Sequence, residues 1–243
     1  MNQARRNEYE SSRQSTFFLL TLCALQMISG VCWAFVLSLL IYVYRSGLAD
    51  VGNPLFRSLL KVEKALLWID MGLALLFFIG IVLWIFRSSR NAFALSVHKP
   101  PFFTPGLATL LCVIPVLNLF AQLPVMSQIW NHSVVDTRRE GSFRPSPTIL
   151  IWFVSWVVGT IATVVILFQT MFAGPVVFNV GRLTTVIIGL VTLVFAALMY
   201  IRLHRHQEAK RRFLIEPPTP CPACGEEIRG EVDECPVCGA VIH

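Results

Sequence analysis

The sequence predicts an all-α integral membrane helical bundle. It has four full spans, a proline-broken fifth segment that is re-entrant or kinked, and a small cysteine-bearing knuckle at its C-terminal end. Three observations carry this reading. Uncharged apolar runs such as Phe17 to Tyr44 are long enough to cross a bilayer, which takes about 20 helical residues. A further apolar stretch, Gly106 to Trp130, is interrupted by Pro115, Asn118, Gln122, Pro124 and Gln128. The last 23 residues hold two Cys-x-x-Cys pairs.

Composition supports the bilayer as the chain's solvent. Hydrophobic residues make up 55% and charged residues 14%, against roughly 25% charged in soluble domains. The net charge of +6 is held in short segments flanking apolar runs, as membrane orientation requires. No nucleic-acid partner is expected. Met1 to Thr16 is polar and of mixed charge, and the run after it exceeds a signal-peptide core, so the first span is expected to stay as an anchor.

The boundaries follow from these shifts. Residues 1–16 form a cytosolic tail, 17–203 a multi-span membrane domain, 204–220 a basic and then Pro-rich linker, and 221–243 the knuckle. After the first span, Gly47, Gly52 and Pro54 mark a loop, and Leu55 to Leu67 reads as an interfacial or extended start of the second helix. The second span, Leu66 to Phe86, carries Asp70 near its outer end, where Lys64 or water is the expected partner. A polar turn over Arg87 to Asn91 follows. Thr104 before Pro105 has the pattern of a helix cap with proline in the first turn. The two inner prolines of the next segment imply kinks or a break. Broken backbone at membrane depth must be buried in protein or line a wet cavity. The segment therefore either returns near Pro115 to Asn118 or crosses as a kinked span. Thr148 to Phe172 and Leu183 to Ile201 complete the spans, the former with Gly159 and Thr163 as a small-residue pair for close helix approach.

Charge counting constrains the topology. With four spans, a returning third segment and a cytosolic N-terminus, Lys and Arg divide 15 inside to 5 outside. Five spans with the N-terminus outside give 13 to 7, and five with it inside give 7 to 13. Positive-inside bias excludes the last and favours the first. The chain is thus expected in the cell membrane as a multi-pass protein with both termini cytoplasmic.

The sharpest chemistry lies in Cys221-Pro-Ala-Cys224-Gly and Cys235-Pro-Val-Cys238-Gly. Four thiolates in two such pairs suit a tetrahedral metal, and Gly225 and Gly239 supply the turns beneath it. A reducing compartment disfavours disulfides, and no βαβ context supports a redox pair. Structural Zn²⁺ on Cys221, Cys224, Cys235 and Cys238 is the expectation, with iron the alternative that spacing leaves open. A segment this small needs the metal to fold. Glu216-Pro217-Pro218-Thr219-Pro220 is a stiff spacer before it. Cys23, Cys32 and Cys112 lie in apolar segments and read as packing residues.

No phosphate-binding loop, HExxH or nucleophile elbow is present. A catalytic site would need convergence of groups such as His98, His132 and Asp136. Asn118 and Gln122 are the polar residues inside an apolar segment that require partners. Helix packing is the plain reading, and a substrate path the sharper one.

Trp84, Arg87, Arg90-Asn91, Thr104-Pro105, Ile114-Pro115, Asn118-Leu119, Pro124 and Ile129-Trp130 together carry a resemblance. The chain resembles a family of bacterial membrane proteins catalogued as domain of unknown function 4328, over about Val62 to Tyr200. It departs from that pattern at Gln128, where an acidic residue is expected, and at Leu107, where an aromatic is expected. The resemblance implies a multi-span architecture without a defined activity, and is compatible with a zinc-ribbon end. It also implies that the Arg-Asn turn and the Pro-Asn-Pro segment form one unit at the cytosolic face. There Arg87 and Arg90 would bind lipid phosphates or cap free carbonyls of the broken helix.

The functional reading is a non-enzymatic scaffold or sensor in the lipid bilayer. Its knuckle docks a cytosolic protein, and homo-oligomers are compatible with this. A small-molecule transporter or channel using residues 105–130 is the first alternative, and a membrane-embedded enzyme the second.

Overall fold

The computed structural model describes residues 9–50, 52–170, 172–215, 219–228, 234–235 and 237–241. Part of the N-terminal tail, the Glu216 to Pro218 part of the spacer and the middle of the inter-pair stretch lie outside them.

Among the described residues, six α-helices follow in order: α1 Arg13–Arg45, α2 Pro54–Ala94, α3 Pro105–Val113, α4 Pro115–Ser133, α5 Pro147–Thr170 and α6 Pro175–Ile215. Among the described residues, α1, α2, α5 and α6 are long and apolar enough to cross a membrane. Their apolar surfaces face outward, as bilayer solvation allows: Phe35, Trp68, Leu75, Leu83 and Val164 are all exposed. In water such a surface would be an aggregation liability.

Local chemistry sets the starts. Asn53 caps α2 by accepting from Leu55 N at 3.0 Å, with Pro54 in the first turn. Thr104 accepts from Leu107 N at 3.4 Å at the start of α3, as its sequence pattern predicts. Two expectations need correction. Arg87 to Asn91 is not a turn, because α2 runs unbroken through it to Ala94. The basic half of the expected linker is also helical, because α6 continues to Ile215.

The third segment breaks once, at Ile114 (φ −73°, ψ 117°), directly before Pro115. A residue before proline is pushed out of the helical region, and proline then starts a new helix well. Pro124 lies inside α4 without interrupting it. The two helices fold back on each other: Phe103 N, before α3, donates to Gln128 Oε1, late in α4, at 3.0 Å. The nine residues of α3 rise about 13 Å, less than half of a bilayer core of roughly 30 Å. The segment is therefore a helical hairpin whose two ends lie on the same face of the bundle.

The helices form a ring. α1 packs on α2 and α6, α6 on α5, and the hairpin lies between α2 and α5. At its centre Trp84 is buried, edge-on to Tyr200 (centroids 4.6 Å apart), and donates Nε1–H to Thr16 Oγ1 at 3.1 Å. Small residues permit the closest helix approach. A Cβ on Gly159 would meet Thr192 Oγ1 at 3.1 Å, and one on Gly181 would meet Thr170 Cγ2 at 2.6 Å. At the opposite end Arg182 pairs with Glu63 and lies 4.8 Å over the Trp33 ring.

Candidate functional site

The knuckle repeats one motif twice. Cys221 N donates to Glu226 O, and Gly225 N to Cys221 O, each at 2.8 Å. Cys235 N donates to Ala240 O, and Gly239 N to Cys235 O, also at 2.8 Å. Gly225 (φ 74°) and Gly239 (φ 70°) adopt the left-handed conformation that closes each turn. Short antiparallel pairing flanks each turn: Thr219–Pro220 (β1) with Glu227–Ile228 (β2), and Glu234 with Val241. Each Cys-x-x-Cys thus sits in its own small hairpin.

This brings the four sulfurs of Cys221, Cys224, Cys235 and Cys238 within 4.8 Å of one another. The Cys221–Cys238 and Cys224–Cys235 sulfurs are 3.7 Å apart. A metal–sulfur bond of about 2.3 Å in tetrahedral geometry requires sulfurs roughly 3.8 Å apart, and a disulfide needs about 2.0 Å. The donor set therefore fits a tetrahedral metal ion. Among the described residues it is the one such ligand group. His98, His132 and Asp136 are not brought together: Asp136 accepts from Arg138 N and pairs with Arg139, while His132 has other partners.

A second constellation lies where the start of α1 meets the ends of α2, α4 and α6. Gln207 is fully buried at its centre. Its Nε2 donates to Ser88 O (3.1 Å) and Ser133 Oγ (3.3 Å). Its Oε1 accepts from Asn91 Nδ2 (3.4 Å) and Ser12 Oγ (3.3 Å). One amide therefore ties together α2, α4, α6 and the residue capping α1. Beside it, Lys210 Nζ donates to Glu140 Oε1 at 2.7 Å and to His132 O at 2.8 Å. The side chains of this ion pair are 0% and 1% exposed. Glu140 also accepts from Val97 N and His98 N just after α2.

Burial pushes the Glu140 carboxyl upward, but the Lys210 ammonium and the two backbone donors outweigh it and hold it below the usual carboxylate range. Burial lowers Lys210, and Glu140 opposes this. His132 has a defined tautomer. Ser96 Oγ donates to Ala92 O (2.7 Å), so at 3.0 Å it accepts from His132 Nδ1–H, and Nε2 accepts from Gly141 N at 3.3 Å. Burial brings this histidine down from 6.5 to about 4.

Between pH 6.5 and about 4 the unfolded histidine takes up a proton that the folded one refuses, so stability falls with pH across that window. A thermal-unfolding series over this range should show the fall in the wild type and a flatter profile in His132→Gln. Equal slopes would remove His132 from the account.

Arg87 and Arg90 grip one carboxylate: each donates to Glu10, at 2.7 Å. α2 is continuous through both residues, so they sit at no broken end of their own helix. Asn91 belongs to the Gln207 cluster, and its Oδ1 accepts from Glu10 N at 3.3 Å. Asp70 accepts from Ser29 Oγ of α1 at 3.4 Å rather than pairing with Lys64. Asn118 and Gln122 do not join either cluster. The buried side-chain oxygens of both lack a hydrogen-bond partner among the described residues.

Sequence reasoning missed Gln207, Lys210 and Glu140. Glu140 lies 70 residues from Lys210, in a loop that reads as solvated. The available signal was Gln207 and Lys210 at the helical spacing of three, in phase with the apolar face at Leu203 and Leu214.

No curated protein and no solved structure matches the chain. The family model described as "Domain of unknown function (DUF4328)" matches residues 60–208, which include α2 from its second turn, the hairpin, α5 and α6 through Glu208. Covering more than half of the chain, this match shows that the protein belongs to the DUF4328 family.

Proposed function

We propose that the protein is a non-enzymatic membrane scaffold or sensor, and that its C-terminal knuckle, folded on a structural Zn²⁺, docks a cytosolic protein. The observation that carries this reading is the set of four thiolates at tetrahedral spacing. With all positions filled by cysteine, such a site is closed to substrate and serves to build a surface. That surface presents Val237 and Val241, 65% and 58% exposed. Apolar side chains on so small a unit suit a protein contact.

The sensing half rests on α6. This helix leaves the apolar core and continues to Ile215, and Gln207 and Lys210 clamp it to the hairpin base and its following loop. A shift of the hairpin would therefore load the helix that leads toward the knuckle. The basic flanks, divided 15 to 5, favour placing this face in the cytosol of the cell membrane.

A photo-cross-linking residue at Val237 in living cells tests docking. A discrete adduct is expected, and it should vanish when Cys221 and Cys224 are replaced by serine. No adduct, or an unchanged adduct in the metal-free variant, would contradict docking through the folded knuckle. An adduct of twice the chain's own mass would assign the surface to self-association instead.

A further inference from the structure

Between α2, α4, α5 and α6 lies a cavity of about 130 Å³. Its walls are chiefly aromatic and apolar, with Trp84, Trp152, Trp156, Tyr200 and Met126 among them. One polar group in the lining stands out. Gln122, 9% exposed, lines the cavity, and its buried Oε1 has no hydrogen-bond partner among the described residues. Leaving a buried amide oxygen unpaired is costly, most of all in a surrounding without water.

A lone water answers this poorly, because it needs two to four polar partners. Of the other polar groups in the lining, the Thr192 hydroxyl gives its proton to Ile188 O at 3.1 Å and can offer a water a lone pair but no donor. A ligand that brings its own apolar body answers it well. An apolar protein cavity of roughly 150 Å³ accommodates benzene, so this one suits a single aromatic ring. The indole and phenol walls supply offset and edge-on ring contacts.

We propose that this cavity is a binding site for a membrane-soluble phenol, a single aromatic ring bearing one hydroxyl. The hydroxyl donates to Gln122 Oε1, and the ring lies among Trp84, Trp152, Trp156 and Tyr200. Gln122 stands on α4, one turn before Met126 and three before Ser133, the residue that accepts from Gln207. A bound ring thus sits on the helix whose base is clamped to α6. The site does not depend on the knuckle. If both exist, the cavity is the input of the sensor proposed above.

The test uses the full-length, metal-loaded protein in lipid nanodiscs and two probes of nearly equal shape, 4-fluorophenol and 4-fluorotoluene. Binding is followed by fluorine NMR at matched concentrations in the lipid. Saturable 4-fluorophenol binding is expected, roughly tenfold tighter than 4-fluorotoluene, as one buried hydrogen bond provides. Gln122→Met should bind both probes equally, and Ala196→Leu, which fills the cavity, should bind neither. The proposal is overturned if neither probe saturates the wild type, if the wild type binds them equally, or if the preference survives Gln122→Met. Binding in the Cys221, Cys224 double serine variant should match the wild type, so failure of the docking reading would leave this result unchanged.

Discussion

Lys210→Met is expected to destabilise the membrane domain by roughly 3–5 kcal/mol, the usual cost of stranding one member of a buried ion pair. The substitution keeps the length and apolar stem of the side chain but removes the ammonium. Glu140 would then be buried with only the Val97 and His98 N–H groups as donors, and His132 O would lose its lysine donor. Thermal unfolding in detergent measures the loss. The double variant Lys210→Met with Glu140→Gln should recover most of it, because no charge is then left unpaired. A single variant as stable as the wild type would show that the pair is hydrated and that the hairpin base is held by other contacts.

Acid should act on the same pair. The folded Glu140 carboxyl titrates below its ordinary 4.5, so its contribution is complete above that pH and is lost as pH falls through the folded value.

Replacing Cys221 and Cys224 by serine is expected to remove the metal altogether and unfold the knuckle, while the membrane helices stay intact. The reason is size: among the described residues the buried side chains of this cluster are Cys221 and Cys235, with Ala240 packed against them. A unit this small relies on the ion to hold its turns. Elemental analysis of the purified protein should give one zinc per chain in the wild type and none in the variant. Limited proteolysis should then cut the variant between α6 and the C-terminal end. Iron at stoichiometric level would keep the tetrahedral site but reassign its ion. Absence of any metal in the wild type would remove the folding argument.

What the sequence revealed depended on how local the signal was. The Cys-x-x-Cys-Gly pairs were legible because their geometry is set within five residues, and Thr104-Pro105 because a cap needs only one turn. The spans were legible because hydrocarbon imposes length and composition on each segment separately. The hairpin was half legible: proline announced the break at Ile114, but whether the chain returns depends on the Phe103–Gln128 hydrogen bond. The Gln207 and Lys210 clusters were not legible, because a Gln, a Lys and a loop Glu in polar segments look like solvated surface. Only the folded arrangement brings Lys210 to Glu140 and Gln207 to Ser88, 119 residues away. Arg87 and Arg90 were singled out for their charge, yet their partner Glu10 sits in a tail that no pattern connects to α2.

Pro105 to Ser133 enters and leaves on one face, the face that holds both ends of the bundle. Single cysteines at Phe102 and Phe143, in a background without Cys23, Cys32 and Cys112, test it most directly. These two rings flank the hairpin, are 74% and 48% exposed and lie 6.3 Å apart. Each variant is treated with a membrane-impermeant maleimide in right-side-out and inside-out membrane vesicles, and the labelling of the same background without the added cysteine is subtracted. The account predicts that both positions label only in inside-out vesicles. Labelling of the two positions from opposite sides would make the segment a full span and contradict it.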